Sequence, residues 1–140
     1  MKNYLASASL GLVAAGFVLG MASSEMIHAQ VAGYTTKQIL KADLQNIPGQ
    51  EILFFTSDWP PGFRLPLHLH EGGHEFVYVI EGEQTFEIDG VGTKVVKAGE
   101  VLHTPPNVVH FGRNATDKPS KTLVVRIKDK DKPLLTEVKR

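Results

Sequence analysis

Five of the six histidines in the chain fall between His68 and His110. Imidazole is the commonest protein ligand for a metal ion and the side chain that changes charge near neutral pH. His68 and His70 stand two residues apart, a spacing that puts both rings on the same face of a strand. Glu75 follows just ahead of the apolar run Phe76 to Ile80, and His110 comes much later, after Pro105-Pro106-Asn107. A hairpin would supply His68, His70 and Glu75 from neighbouring strands, with His110 arriving from a third. Three neutral imidazoles and one carboxylate make a nitrogen and oxygen set suited to one divalent ion: Fe, Mn, Ni, Cu, Co or Zn. On a six-coordinate ion these ligands leave two positions open, whereas structural zinc sites are closed and tetrahedral. His-x-His also occurs on ordinary strands as two surface histidines, so spacing alone leaves both readings open.

The elements that must position these residues read as strands. Ile52 to Thr56 is a short run rich in β-formers, stopped by Trp59-Pro60-Pro61-Gly62. Phe76 to Ile80 is a second such run, ended by Gly82, and Phe86 and Ile88 alternate with polar neighbours as a half-buried strand should. Asp89-Gly90 marks a hairpin turn. Val95-Val96, Val101-Leu102 and Thr122 to Ile127 give further strands, and Asp129 to Arg140 reads as a charged tail. Thr35 to Leu44 fits a helical turn or two and a strand equally well. Short, closely spaced strands punctuated by Gly and Pro predict an all-β fold, an antiparallel sandwich or barrel.

The stretch from Gly62 to Gly82 resembles the first motif of the cupin family, G(x)5HxH(x)4E(x)6G, at every fixed position. The stretch from Gly99 to Asn114 is similar to the second, G(x)5PxG(x)2H(x)3N, with one departure: Asn107 stands where the family has glycine. That position sits in a turn of positive φ, and Asn is the next most tolerant residue there. The resemblance implies a small antiparallel β-barrel, a double-stranded jelly roll, with the metal held inside near one end by His68, His70, Glu75 and His110. It also implies a homodimer, since small cupins commonly pair through an edge strand and exposed edges need cover.

Other residues are weighed against plainer roles. Arg64 shares strand parity with His68 and is a candidate substrate-binding residue that would hold an anion by a bidentate contact. An exposed arginine near the start of the strand is the simpler expectation. His103 is the second substrate-binding candidate, set against a partly buried structural role. His74 must face away from Glu75 on a regular strand. Tyr78, Phe54, Phe55, Trp59, Phe76, Phe86 and Phe111 are expected in the core. Glu71-Gly72-Gly73 is expected to be a turn. No catalytic acid or base is assigned beyond the metal ligands.

Residues 3–24 carry no charge, Lys2 precedes them, and Glu25 is the first charge after. That is the layout of a secretory signal peptide over residues 1–29, with Ile27-His28-Ala29 as the cleavage site and Gln30 as the new N-terminus. Cleavage after Ala22 is the weaker choice, and an uncleaved membrane anchor is the alternative. Residues 30–140 would then form one domain in the periplasm or outside the cell. With 15 basic and 15 acidic residues and no basic stripe, nucleic acid is excluded as a partner. The chain has no cysteine, and its three methionines all fall within residues 1–29. Thiolate metal sites are therefore excluded.

Three functions fit. The first is a metal-dependent oxidoreductase, dioxygenase-like, acting on a small organic molecule; small cupins with this ligand set include such enzymes. The second is non-redox metal chemistry, as in an isomerase, decarboxylase or lyase. The third is a non-catalytic periplasmic module that binds a small ligand or metal. The ligand set favours the first, and a fold alone cannot choose among them.

Overall fold

A computed structural model describes residues 33–139. The expected signal segment, its cleavage site and the alternative anchor lie outside the described residues. Among the described residues no helix is long and apolar enough to cross a membrane.

The chain forms strands β1 (Thr35–Asp43), β2 (Gln50–Trp59), β3 (His68–Leu69), β4 (His74–Glu81) and β5 (Glu83–Ile88) in its first part. Then follow β6 (Gly92–Lys97), β7 (Val101–Thr104), β8 (His110–Arg113), β9 (Ser120–Asp129) and β10 (Thr136–Glu137). They build two five-stranded sheets, ordered β1-β2-β9-β4-β7 and β10-β3-β8-β5-β6. Every pairing between them is antiparallel. The result is the all-β jelly roll expected from the sequence.

Between the sheets Val77, Val79 and Val124 meet Phe86, Ile88 and Val96 in one buried cluster. A second buried cluster joins Tyr34, Trp59 and Phe63. There Tyr34 stacks on Phe63 with centroids 4.4 Å apart and meets Trp59 edge-on at 5.1 Å. Trp59 donates its indole N–H to Thr122 Oγ1 at 3.0 Å, so the one polar atom of the ring is satisfied.

Turns follow the chemistry read from the sequence. Gly90 sits at φ 75° between β5 and β6, and Asn107 adopts φ 63°, the conformation that its glycine-like position demands. The Thr35 to Leu44 stretch resolves as strand β1. The charged tail does not stay a tail. Thr136 and Glu137 pair with Leu69 and His68, adding a strand beside β3.

The aromatic expectation holds only in part. Trp59 and Phe86 are buried, but Tyr78 is 42% exposed, and Phe54, Phe55, Phe76 and Phe111 are half-buried. The inward positions of β4 belong to Glu75, Val77 and Val79, which leaves His74, Phe76 and Tyr78 on the outer face. Strand β9 shows the same choice more sharply: Ser120, Thr122, Val124, Arg126 and Lys128 point inward, while Leu123, Val125 and Ile127 point out.

Candidate metal centre

The short strand β3 carries His68, and its partner across the ladder is His110 on β8. His70 lies just past β3, before the turn Glu71-Gly72, and Glu75 is the first inward residue of β4. All four side chains are buried: His68 and His70 are 2% exposed, His110 1% and Glu75 9%. The three rings face one another with centroids 4.4 to 5.0 Å apart. One nitrogen from each lies within 4.8 Å of the others.

Each ring spends its other nitrogen on a backbone carbonyl. His68 Nδ1 donates to Pro66 O at 2.7 Å, His110 Nδ1 to Val108 O at 2.9 Å, and His70 Nδ1 to Leu134 O at 3.0 Å. A carbonyl only accepts, so each Nδ1 carries the proton and each neutral ring presents Nε2 as a lone pair. Glu75 Oε1 stands 3.2 Å from His70 Nε2, and Oε2 stands 3.2 Å from His110 Nε2. His70 Nε2 is buried and has no hydrogen-bond partner.

Burial disfavours the charged form of two of the rings, His68 and His70. Burial, with help from His110, lowers His68 to about 4, and burial also holds His70 below its ordinary value. Burial on its own would raise Glu75, but His70, His110 and Arg126 outweigh it and hold the carboxyl well below the usual range. Ring nitrogens and a carboxylate thus converge at one buried spot. A divalent cation fits this donor set of nitrogen and oxygen.

Arg126 was not anticipated from the sequence. It is 1% exposed, with Nη1 3.9 Å from Glu75 Oε1 and Nε donating to His74 O at 3.1 Å. Gly73 makes the room, since a Cβ there would come within 2.9 Å of Arg126 Nη2. The glycine serves close approach here, and φ > 0 belongs to its neighbour Gly72. A cation at inward parity between Val124 and Lys128 was the available signal.

The remaining candidates sit elsewhere. Arg64 is exposed and lies with its guanidinium 3.7 Å above the Phe111 ring. The chain between Arg64 and β3 is irregular around Pro66, so strand parity does not carry from one to the other. His103 is on the outer face of β7, because its neighbour Thr104 takes the inward position. There it stacks on Phe76 at 4.6 Å, and its Nε2 lies 3.0 Å from His74 Nδ1. His74 does face away from Glu75, as expected of a regular strand.

The family profile described as Cupin domain, Cupin_2, matches residues 55–126. Germin-like protein subfamily 2 member 2 of Arabidopsis thaliana is 31% identical over 114 residues, covering 76% of this chain and 50% of its own. Quercetin 2,3-dioxygenase of Bacillus subtilis is 38% identical over 69 residues, covering 49% of this chain and 20% of its own. The oxalate-binding protein of Thermotoga maritima is 35% identical over 75 residues, covering 54% and 61%. Among solved structures, a Klebsiella pneumoniae protein with a double-stranded β-helix domain superposes with a TM-score of 0.61 at 17% identity, over 81% of this chain and 91% of that one. The chain spans about half the length of the germin-like relative.

Proposed function

The chain belongs to the cupin family, and from that premise we propose a metal-dependent oxidoreductase, dioxygenase-like, that acts on a small organic molecule outside the cytoplasm. The observation that carries this reading is the convergence of one nitrogen from each of the three buried rings, two of them 3.2 Å from the Glu75 carboxylate, with each Nδ1 held by a backbone carbonyl. His68, His70, His110 and Glu75 would hold the ion. Bound there, a redox-active divalent ion supplies Lewis acidity and a site for substrate and dioxygen to meet. The chain's own contribution is orientation. Pro66, Leu134 and Val108 set the rings, and Arg126 places a positive charge 3.9 Å from Glu75. The name of the Bacillus subtilis relative supports the oxidative reading. Export rests on the uncharged N-terminal segment alone.

A second reading is a non-catalytic module that binds a small ligand or the metal itself. The burial of all three histidines favours it, as does the name of the Thermotoga maritima relative.

The test is elemental analysis of the full chain purified from its export compartment without chelators, followed by dioxygen uptake with enolic and catecholic compounds. About one equivalent of iron, nickel, copper or manganese with substrate-dependent uptake is the expected result. Bound metal without uptake would transfer the assignment to Lewis-acid chemistry or ligand binding. No metal, even after reconstitution, would end the metal reading.

A further inference from the structure

Two histidines lie outside the buried centre and close to each other. His74 opens β4 and His103 lies in β7, both exposed on the outer face of their sheet. The ladder sets Phe76 directly across from His103, which leaves His74 on the diagonal, within reach for an aromatic ring. His74 Nδ1 and His103 Nε2 stand 3.0 Å apart. Strand β7 ends its sheet, so no further strand crosses the pair on that side.

We propose that His74 and His103 form a second metal site, an exposed chelate for a divalent transition ion, with Cu(II) held most tightly. Three observations carry it, and none depends on the buried centre. The first is separation. Two imidazole nitrogens about 2.0–2.1 Å from one ion, at angles of roughly 90 to 110°, stand roughly 3.0 to 3.4 Å apart. The pair already sits at the short end of that range, so an ion needs little opening to enter.

The second observation concerns the proton. A hydrogen bond between two neutral rings places one proton on the line between them. When an ion takes its place, the donating ring must carry that proton on its far nitrogen instead. Among the described residues, neither His74 Nε2 nor His103 Nδ1 has a protein partner, so either far nitrogen can take it. In the buried centre, by contrast, carbonyls fix the far nitrogens.

The third observation is the surroundings. Phe76 lies face to face with the His103 ring, centroids 4.6 Å and planes 13° apart, which limits that ring's freedom before an ion arrives. Across the other ladder Ile127 stands beside His74 and Val125 beside Phe76. The cations of that stretch, Arg126 and Lys128, point inward and do not compete for the place. Two protein nitrogens leave the ion's other positions to solvent, an open arrangement unlike a closed structural site. Imidazole suits Cu, Ni and Zn, and the divalent affinity order puts Cu(II) first. An ion held this way exchanges with solution and leaves on gel filtration, so it does not enter the elemental analysis of the buried centre.

Equilibrium dialysis of the full chain against Cu(II), read with electron paramagnetic resonance, tests the site. The wild type is expected to hold one equivalent of Cu(II) beyond that held by His103→Gln or His74→Gln. The spectrum of that equivalent should show two imidazole nitrogens. Both side chains are exposed, so each variant should keep the wild-type far-ultraviolet spectrum. In His68→Ala, which disables the buried centre, the exterior equivalent should remain, and adding His103→Gln to that background should abolish it. Failure of this site and failure of the buried ligand set are thereby told apart. Equal copper uptake by the wild type and either glutamine variant would overturn the inference. So would an extra equivalent that disappears in His68→Ala, or one whose spectrum lacks the two nitrogens.

Discussion

At the scale of single residues, the site is decided by where each imidazole keeps its proton. Pro66 O and Val108 O each lie two residues before the ring they bind, so His68 and His110 set their own tautomers locally. His70 depends on Leu134 O, 64 residues away. Removing a ring should therefore remove the metal without removing the fold. For His68→Ala and His110→Ala we expect loss of stoichiometric metal in elemental analysis and a retained β spectrum. Full occupancy in either variant would refute the ligand assignment. The four candidate ligands could be named because both motifs keep family spacing. Arg126 could not be, because a cation inside a β-rich run reads as a solvent-facing residue until the barrel shows which parity is inward.

At the scale of elements, the segment after β9 behaves as a strap. Lys128 Nζ donates to Lys132 O at 2.7 Å, Thr136 Oγ1 donates to Glu71 Oε1 at 2.7 Å, and Val138 N donates to Leu67 O at 2.8 Å. These bonds seat Leu134 above His70. Val138→Pro removes the last donor without touching a ligand, and should weaken metal affinity by about tenfold, the lower range for disturbing a ligand's outer partners. Competition with a chromophoric chelator would measure it; unchanged affinity would make the strap a bystander. Nothing in the sequence announced this element. Asp129 to Arg140 has no apolar alternation, and a two-residue strand that pairs across half the chain leaves no local signature. Tyr78 was misplaced for a related reason: Phe76 to Ile80 is apolar throughout, and such a run does not declare which face is buried.

At the scale of the whole molecule, the barrel keeps an ion cluster inside and apolar residues outside. Glu51 is 2% exposed, 2.9 Å from Lys128 Nζ and 3.2 Å from Lys41 Nζ. Burial would raise its carboxyl, but the two lysines outweigh burial and lower it below 4.5. A carboxyl with a depressed folded pKa adds stability above its unfolded value, and that stability is lost as pH falls through the folded value. The melting temperature should therefore fall as pH drops from about 5 to about 3, and Glu51→Gln should flatten part of that slope. At neutral pH the same variant leaves the buried Lys128 without its counter-charge, at a cost of about 3 kcal/mol. A variant melting like wild type at neutral pH would contradict this account. The overall architecture was readable from turn chemistry and strand length; the inverted faces were not, since alternation has a period but no sign.

The bond from His70 to Leu134 also orders events in time. A ribosome that has delivered both residues of the His-x-His pair has still to make the segment that fixes the second ring. Until residue 134 emerges, His70 has no acceptor to settle its tautomer, and β3 has no partner in β10. A chain with such distant pairings folds late by nature. Metal captured before then would meet an unfinished pocket, so the geometry itself postpones loading until the barrel has closed.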